Sequence, residues 1–137
     1  MHSDGDMRSH VRPVLVVEDS DNSAAMLEIA LSAIPEVTVM LVRSALEAWR
    51  LLKGQGPSIH AIVTDLNMPL MDGFELIRRV RADGRLGATP IVVVSADTDP
   101  ATPRRIAQLG VNAYFAKPFS PAEMRRKLEQ ILNGQTD

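Results

Sequence analysis

The chain has 137 residues, 45% of them hydrophobic and 23% charged; this fits one domain with an ordinary core and excludes wholesale disorder. Fifteen basic residues against seventeen acidic give a net charge of −2, so there is no general electrostatic case for nucleic-acid binding. Cysteine is absent, which removes disulfide scaffolds, thiolate metal sites and cysteine nucleophiles together.

Residues 1–11 read as a flexible N-terminal tail. Asp4, Asp6 and Arg8 stand where a signal peptide would need an apolar core. The longest apolar runs, Val14 to Val17 and Ile91 to Val94, are strand length and far short of a bilayer span. These features point to a soluble, cytoplasmic protein without membrane insertion. Val14 to Val17 is the first predicted strand. A helix from Asn22 to Ala33 follows, with Asp19 or Asp21 available as its cap and Met26, Ile29, Ala30 and Ala33 as its buried face. Pro35 ends it. Val37 to Val42 is the second strand. Ser44 and Glu47 form a capping-box pattern, and Ala45, Ala48, Trp49 and Leu52 give the buried stripe of the second helix, stopped by Gly54, Gly56 and Pro57.

Ala61 to Thr64, extending to His60 at most, is the third strand, and Asp65 to Met71 a loop. Asp72 and Glu75 form a second capping box, opening a helix that runs to Ala82 and closes near Gly84. Ile91 to Ser95 is the fourth strand. A proline-interrupted loop leads to a short helix from Pro103 to Leu109, terminated by Gly110. Ala113 to Ala116 is the fifth strand. Ser120, Pro121 and Glu123 supply a cap, a first-turn proline and a capping-box glutamate for a last helix whose apolar face is Met124, Leu128, Ile131 and Leu132. Residues 134–137 are a C-terminal tail, leaving one domain over residues 12–133. Strands that alternate with helices need crossover connections, so the fold class is α/β: a doubly wound, parallel five-stranded (βα)5 sheet.

The polar residues fall at one end of this sheet. Glu18 and Asp19 follow the first strand, Asp65 the third and Lys117 the fifth, while Ser95 ends the fourth. Ligands of open parallel sheets bind beyond the carboxyl ends of the strands. Three carboxylates there repel one another unless compensated. Lys117 supplies one positive charge, and a hard divalent cation such as Mg²⁺ suits the remaining oxygen donors.

Four motifs resemble the receiver domain of two-component response regulators, the CheY-like family, across residues 12–133. They are Val14-Leu15-Val16-Val17-Glu18-Asp19, Thr64-Asp65-Leu66-Asn67-Met68-Pro69-Leu70-Met71-Asp72-Gly73, Val94-Ser95-Ala96 and Tyr114-Phe115-Ala116-Lys117-Pro118-Phe119. The resemblance implies the flavodoxin-like strand order 2-1-3-4-5, with the site in the crevice between the first and third strands. It implies Asp65 as the phosphoacceptor, taking a phosphoryl group from a phosphohistidine of a sensor histidine kinase or phosphotransfer protein. It implies Mg²⁺ held directly by Asp19, Asp65 and the backbone carbonyl of Asn67, with Glu18 acting through a water. Lys117 and Ser95 would contact phosphoryl oxygens, and the Lys117-Pro118 peptide would be cis. Tyr114 is at the family's switch position. A downstream output protein would read the face of the fourth helix, fifth strand and fifth helix, which also carries the pairs Arg104-Arg105 and Arg125-Arg126.

Pro100 and Pro103 in and after the fourth loop, and Val111-Asn112 after Gly110, depart from the family's usual pattern. Asn67 and Thr64 lean toward its chemotaxis-type members. The leading expectation is a phosphorylation-activated switch rather than an enzyme. The alternatives are the receiver portion of a longer regulator, a phosphorelay intermediate, a scaffold that is never phosphorylated and a Mg²⁺-dependent phosphohydrolase. Such a hydrolase wants a second carboxylate where Asn67 stands. A flavin carrier of the same architecture is excluded, because Glu18 and Asp19 would repel the flavin phosphate.

Overall fold

The computed structural model describes residues 11–134, so the predicted N-terminal tail, apart from Val11, and residues 135–137 lie outside the described residues. The ten elements alternate as β1 (Arg12–Val17), α1 (Asp21–Ser32), β2 (Val37–Val42), α2 (Ala45–Lys53), β3 (Ala61–Thr64), α3 (Gly73–Ala82), β4 (Ile91–Ser95), α4 (Thr102–Gln108), β5 (Ala113–Ala116) and α5 (Pro121–Leu132). The five strands form one sheet in the order β2-β1-β3-β4-β5, and every pairing is parallel.

Alternation along the strands divides the core into two layers, one per sheet face. Leu15, Val17, Ile62, Ile91 and Val93 pack with residues of α2, α3 and α4. Val14, Val16, Val63, Val92 and Val94 pack with α1 and α5. Because helices cover both faces, β3 and β4 are apolar up to the polar residue that ends each, Thr64 and Ser95. Among the described residues, no helix is long and apolar enough to cross a membrane.

Four of the five helices start on a side chain that accepts the backbone N–H three residues on: Ser20 from Ser23, Ser44 from Glu47, Asp72 from Glu75 and Ser120 from Glu123. The sequence placed the caps of α2, α3 and α5 correctly. The cap of α1 is Ser20 rather than Asp19 or Asp21. Its buried face also differs from the expected one. Ala24, Leu27, Ala30, Leu31 and Ile34 are buried, while Met26 is 40% and Ile29 73% exposed. Residues 24–34 carry apolar side chains almost all round, so periodicity alone allowed two stripes. The sheet takes the one with the larger branched residues. α4 begins at Thr102, one residue before the predicted Pro103, on Ala101 with no side-chain cap.

At the opposite end of the sheet from the acidic residues, Asn112 Oδ1 accepts the Ile91 N–H at 2.8 Å and so closes the start of β4. The Arg81 guanidinium donates to the carbonyls of Thr89 (2.7 Å), Gly87 (3.1 Å) and Gly110 (2.9 Å). These bonds tie α3 to the loops that lead into β4 and β5.

Candidate functional site

The sheet ladder runs one residue beyond the strands and thereby fixes the polar residues. Glu18 N–H donates to Val42 O (3.1 Å), Asp65 N–H to Val17 O (3.1 Å) and Lys117 N–H to Ser95 O (2.8 Å). Glu18 and Asp65 thus leave adjacent strands side by side. Their carboxylates and that of Asp19 have oxygens all within 4.8 Å of one another.

Lys117 is the bridge. Its Nζ donates to Glu18 Oε1 and to Asp65 Oδ2, each at 2.9 Å. The remaining oxygens are held by backbone: Glu18 Oε2 accepts Ser20 N–H (3.1 Å), and Asp65 Oδ1 accepts Leu66 N–H (2.6 Å) and Asn67 N–H (3.4 Å). Glu18 is 0% exposed. Burial pushes its carboxyl above the ordinary value, and its hydrogen bonds to Lys117 and Ser20 oppose that. For Lys117 the balance is reversed. Burial pulls the amine down, but the hydrogen bonds to Glu18 and Asp65, with their charges, hold it above its usual range. Lys117 is therefore a firmly protonated cation. The Lys117-Pro118 peptide is cis.

Three carboxylates against one ammonium leave the cluster two negative charges in excess. Asp19 is exposed, whereas both Glu18 oxygens already accept hydrogen bonds. An all-oxygen, partly open donor set with excess negative charge fits Mg²⁺, which keeps several waters and takes one or two carboxylates.

The loop that carries Asp65 is clamped from below. Gly73 N–H donates to Leu66 O at 2.8 Å, and a Cβ on Gly73 would lie 2.2 Å from Asp65 O and 2.8 Å from Leu66 Cα. Only glycine allows α3 to start this close to the Asp65 backbone. The buried Thr64 hydroxyl adds a bond to Asp65 O at 2.8 Å. Neither role was read from the sequence. The Asp-Gly pair at the helix start was the available signal for Gly73, whereas nothing local marks Thr64.

Ser95 is fully buried at the end of β4, and its Oγ accepts Asp97 N–H at 3.0 Å. Tyr114 is half-buried and packs on the α2–α4 side of the sheet. Asn67 is exposed beside the cluster. Arg105 lies 3.9 Å over the Phe74 ring, so it faces α3. That corrects the expectation that both arginines of its pair belong to the face shared with β5 and α5. His60 is exposed, outside β3.

The family model for the response regulator receiver domain matches residues 14–129. The chemotaxis protein CheY1 of Helicobacter pylori is 34% identical over 119 residues, spanning 87% of this chain and 95% of that protein. The chemotaxis response regulator CheY4 of Vibrio cholerae is similar in structure, with a TM-score of 0.75 at 29% identity, over 88% of this chain and 98% of that one. The Mn²⁺-bound form of the response regulator Rcp1 matches with a TM-score of 0.77 at 25% identity, over 87% and 92%.

Proposed function

We propose that this chain, which belongs to the response regulator receiver domain family, accepts a phosphoryl group on Asp65 and signals by a change of shape. Receiver domains are phosphoacceptor switches of two-component signalling, and they interact with histidine kinases and output partners. The single observation that carries the assignment is the convergence on Asp65 of Lys117 Nζ at 2.9 Å and of the Glu18 and Asp19 carboxylates within 4.8 Å.

In this reading residues 12–133 are the receiver unit. An ionised carboxylate needs no general base to attack phosphorus. An Asp65 oxygen forms the new P–O bond, the P–N bond of the donor phosphohistidine breaks, and the imidazole leaves. Asp19, Asp65 and the Asn67 carbonyl would hold Mg²⁺, with Glu18 acting through a water. Bound there, the ion neutralises the approaching phosphoryl oxygens; the structural relative Rcp1 is known in a Mn²⁺-bound form. Lys117 exchanges one carboxylate contact for a phosphoryl oxygen, a task suited to a point charge. The Ser95 hydroxyl, whose oxygen accepts Asp97 N–H in this structure, turns from it to donate its proton to a second phosphoryl oxygen. Tyr114 follows Ser95 inward, and the surface of α4, β5 and α5 changes for the output partner.

The test is incubation with Mg²⁺ and acetyl phosphate. One phosphoryl group should be added, labile to hydroxylamine as an acyl phosphate is, and Asp65→Asn should abolish it. Full labelling of Asp65→Asn would overturn the assignment.

A further inference from the structure

Among the described helices, α4 alone starts without a side-chain cap, although the sequence offers one. Thr102-Pro103-Arg104-Arg105 repeats the pattern of Ser120-Pro121-Ala122-Glu123, where Ser120 caps α5 by accepting the N–H of Glu123 and proline follows the cap. An α4 begun one residue later would have Thr102 as cap, Pro103 in the first helical position and Arg105 N–H on the Thr102 hydroxyl. Instead, Ala101 occupies the cap position with αR backbone angles (φ −82°, ψ −14°), and Arg105 N–H donates to Ala101 O at 3.1 Å. Two costs follow. Thr102 is 0% exposed, and its Oγ1 is one of two buried side-chain polar atoms among the described residues without a hydrogen-bond partner. Thr102 is also helical immediately before a proline, a position that disfavours the helical region.

The loop explains what holds α4 in this costlier start. From Ser95 each second residue turns back on the chain. Ser95 Oγ accepts Asp97 N–H (3.0 Å), Asp97 Oδ1 accepts Asp99 N–H (2.8 Å) and Asp99 Oδ1 accepts Ala101 N–H (2.9 Å). Asp99 O then accepts Thr102 N–H (3.1 Å). This ladder connects the hydroxyl beside the phosphoacceptor to the first residue of α4 without a gap.

We propose that α4 has two starts, at Thr102 and at Pro103, and that the ladder from Ser95 selects between them. When Ser95 turns toward a phosphoryl group, its oxygen gives up Asp97 N–H and the ladder loses its first rung. Thr102 then swings to an extended conformation, its hydroxyl gains Arg105 N–H, and the helix shortens by one residue. Asp97 and Asp99 set the balance between the two starts, and Thr102 supplies the alternative cap. The inference rests on the acceptor reading above only for what moves Ser95.

Backbone carbon shifts and amide exchange, measured by NMR on the full chain, test it. In the wild type, acetyl phosphate with Mg²⁺ should move the Thr102 carbon shifts from helical to extended values. The Thr102 amide should lose protection, while the Arg105 amide keeps it by exchanging Ala101 O for Thr102 Oγ1. Asp99→Ala should show the same pattern with no phosphate. Thr102→Val should be phosphorylated at the wild-type rate and keep the earlier start. A helical Thr102 in the phosphorylated wild type, loss of Arg105 protection in Asp99→Ala, or a normal shift at position 102 in Thr102→Val each overturns the two-start mechanism. If acetyl phosphate leaves the wild type unmodified, the acceptor reading fails instead, and Asp99→Ala still decides the matter of the two starts.

Discussion

Replacing Lys117 with methionine tests the electrostatic argument on which the site depends. The substitution keeps most of the stem and removes one charge. In the wild type that charge sits 2.9 Å from both Glu18 and Asp65, and Glu18 is fully buried. Removing one member of such a pair leaves an uncompensated buried charge and costs about 3–5 kcal/mol. Glu18 has an escape, because burial already holds its carboxyl above the ordinary value of 4.5, and without Lys117 it rises further. A carboxyl whose folded pKa exceeds its unfolded pKa binds more protons in the native state. Its stability contribution therefore falls as pH rises from the unfolded value through the folded one, by at most about 1.4 kcal/mol per pH unit. Urea unfolding followed by circular dichroism should show Lys117→Met losing about 3–5 kcal/mol at slightly alkaline pH and distinctly less in mild acid. Mg²⁺ should recover more stability in the variant than in the wild type, because the variant cluster has lost the ammonium that competes with the cation for Glu18 and Asp65. A loss below about 1 kcal/mol that is equal at both pH values is what a solvated surface pair gives. That result would refute the reasoning.

Three further outcomes are expected. Gly73→Ala places a Cβ 2.2 Å from Asp65 O, where only backbone can yield; it should cost about 1–3 kcal/mol and slow acetyl phosphate labelling, and an unchanged urea midpoint would contradict the close approach. Leu70 is 99% exposed at φ +70°, so Leu70→Asn should raise stability by about 0.5–1 kcal/mol through relief of left-handed strain; a lowered urea midpoint would show that the side chain packs. Hydrogen bonds from Lys53, first, and from Leu86 N–H hold the Asp83 carboxyl at about 2, below its ordinary 3.8. Its stabilisation is complete above 3.8 and is lost as pH falls toward 2. Asp83→Ala should therefore flatten that part of the acid-unfolding profile, and an identical acid limb in both proteins would exclude the pairing.

The order of elements was legible because the signals were local and redundant. β-branched runs, four-residue capping patterns and glycine or proline stops marked each element within a few residues. The approach of Glu18, Asp19, Asp65, Ser95 and Lys117 to one end followed from their places directly after strands, since a parallel sheet collects all its carboxyl ends on one edge. The packed face of α1 was not legible in this way. With Met26 and Ile29 on one side and Leu27 and Leu31 on the other, the helix has two apolar stripes, and only docking on Val14 and Val16 chose between them.

By itself the sequence determined which residues carry charge, where each strand ends and which turns are capped, because these depend on neighbours within four positions. The tertiary structure decided what those residues experience. Glu18 is wholly buried with Lys117, 99 positions away, reaching it from the end of another strand to pair with its charge. Gly73 lies against the Asp65 backbone because β3 and α3 converge there. Thr102 begins α4, against its own capping preference, where the loop from Ser95 turns through Asp97 and Asp99 into Ala101. Each outcome balances burial against partners that are distant in the chain or tied through a loop, and no window of sequence contains both sides of that balance.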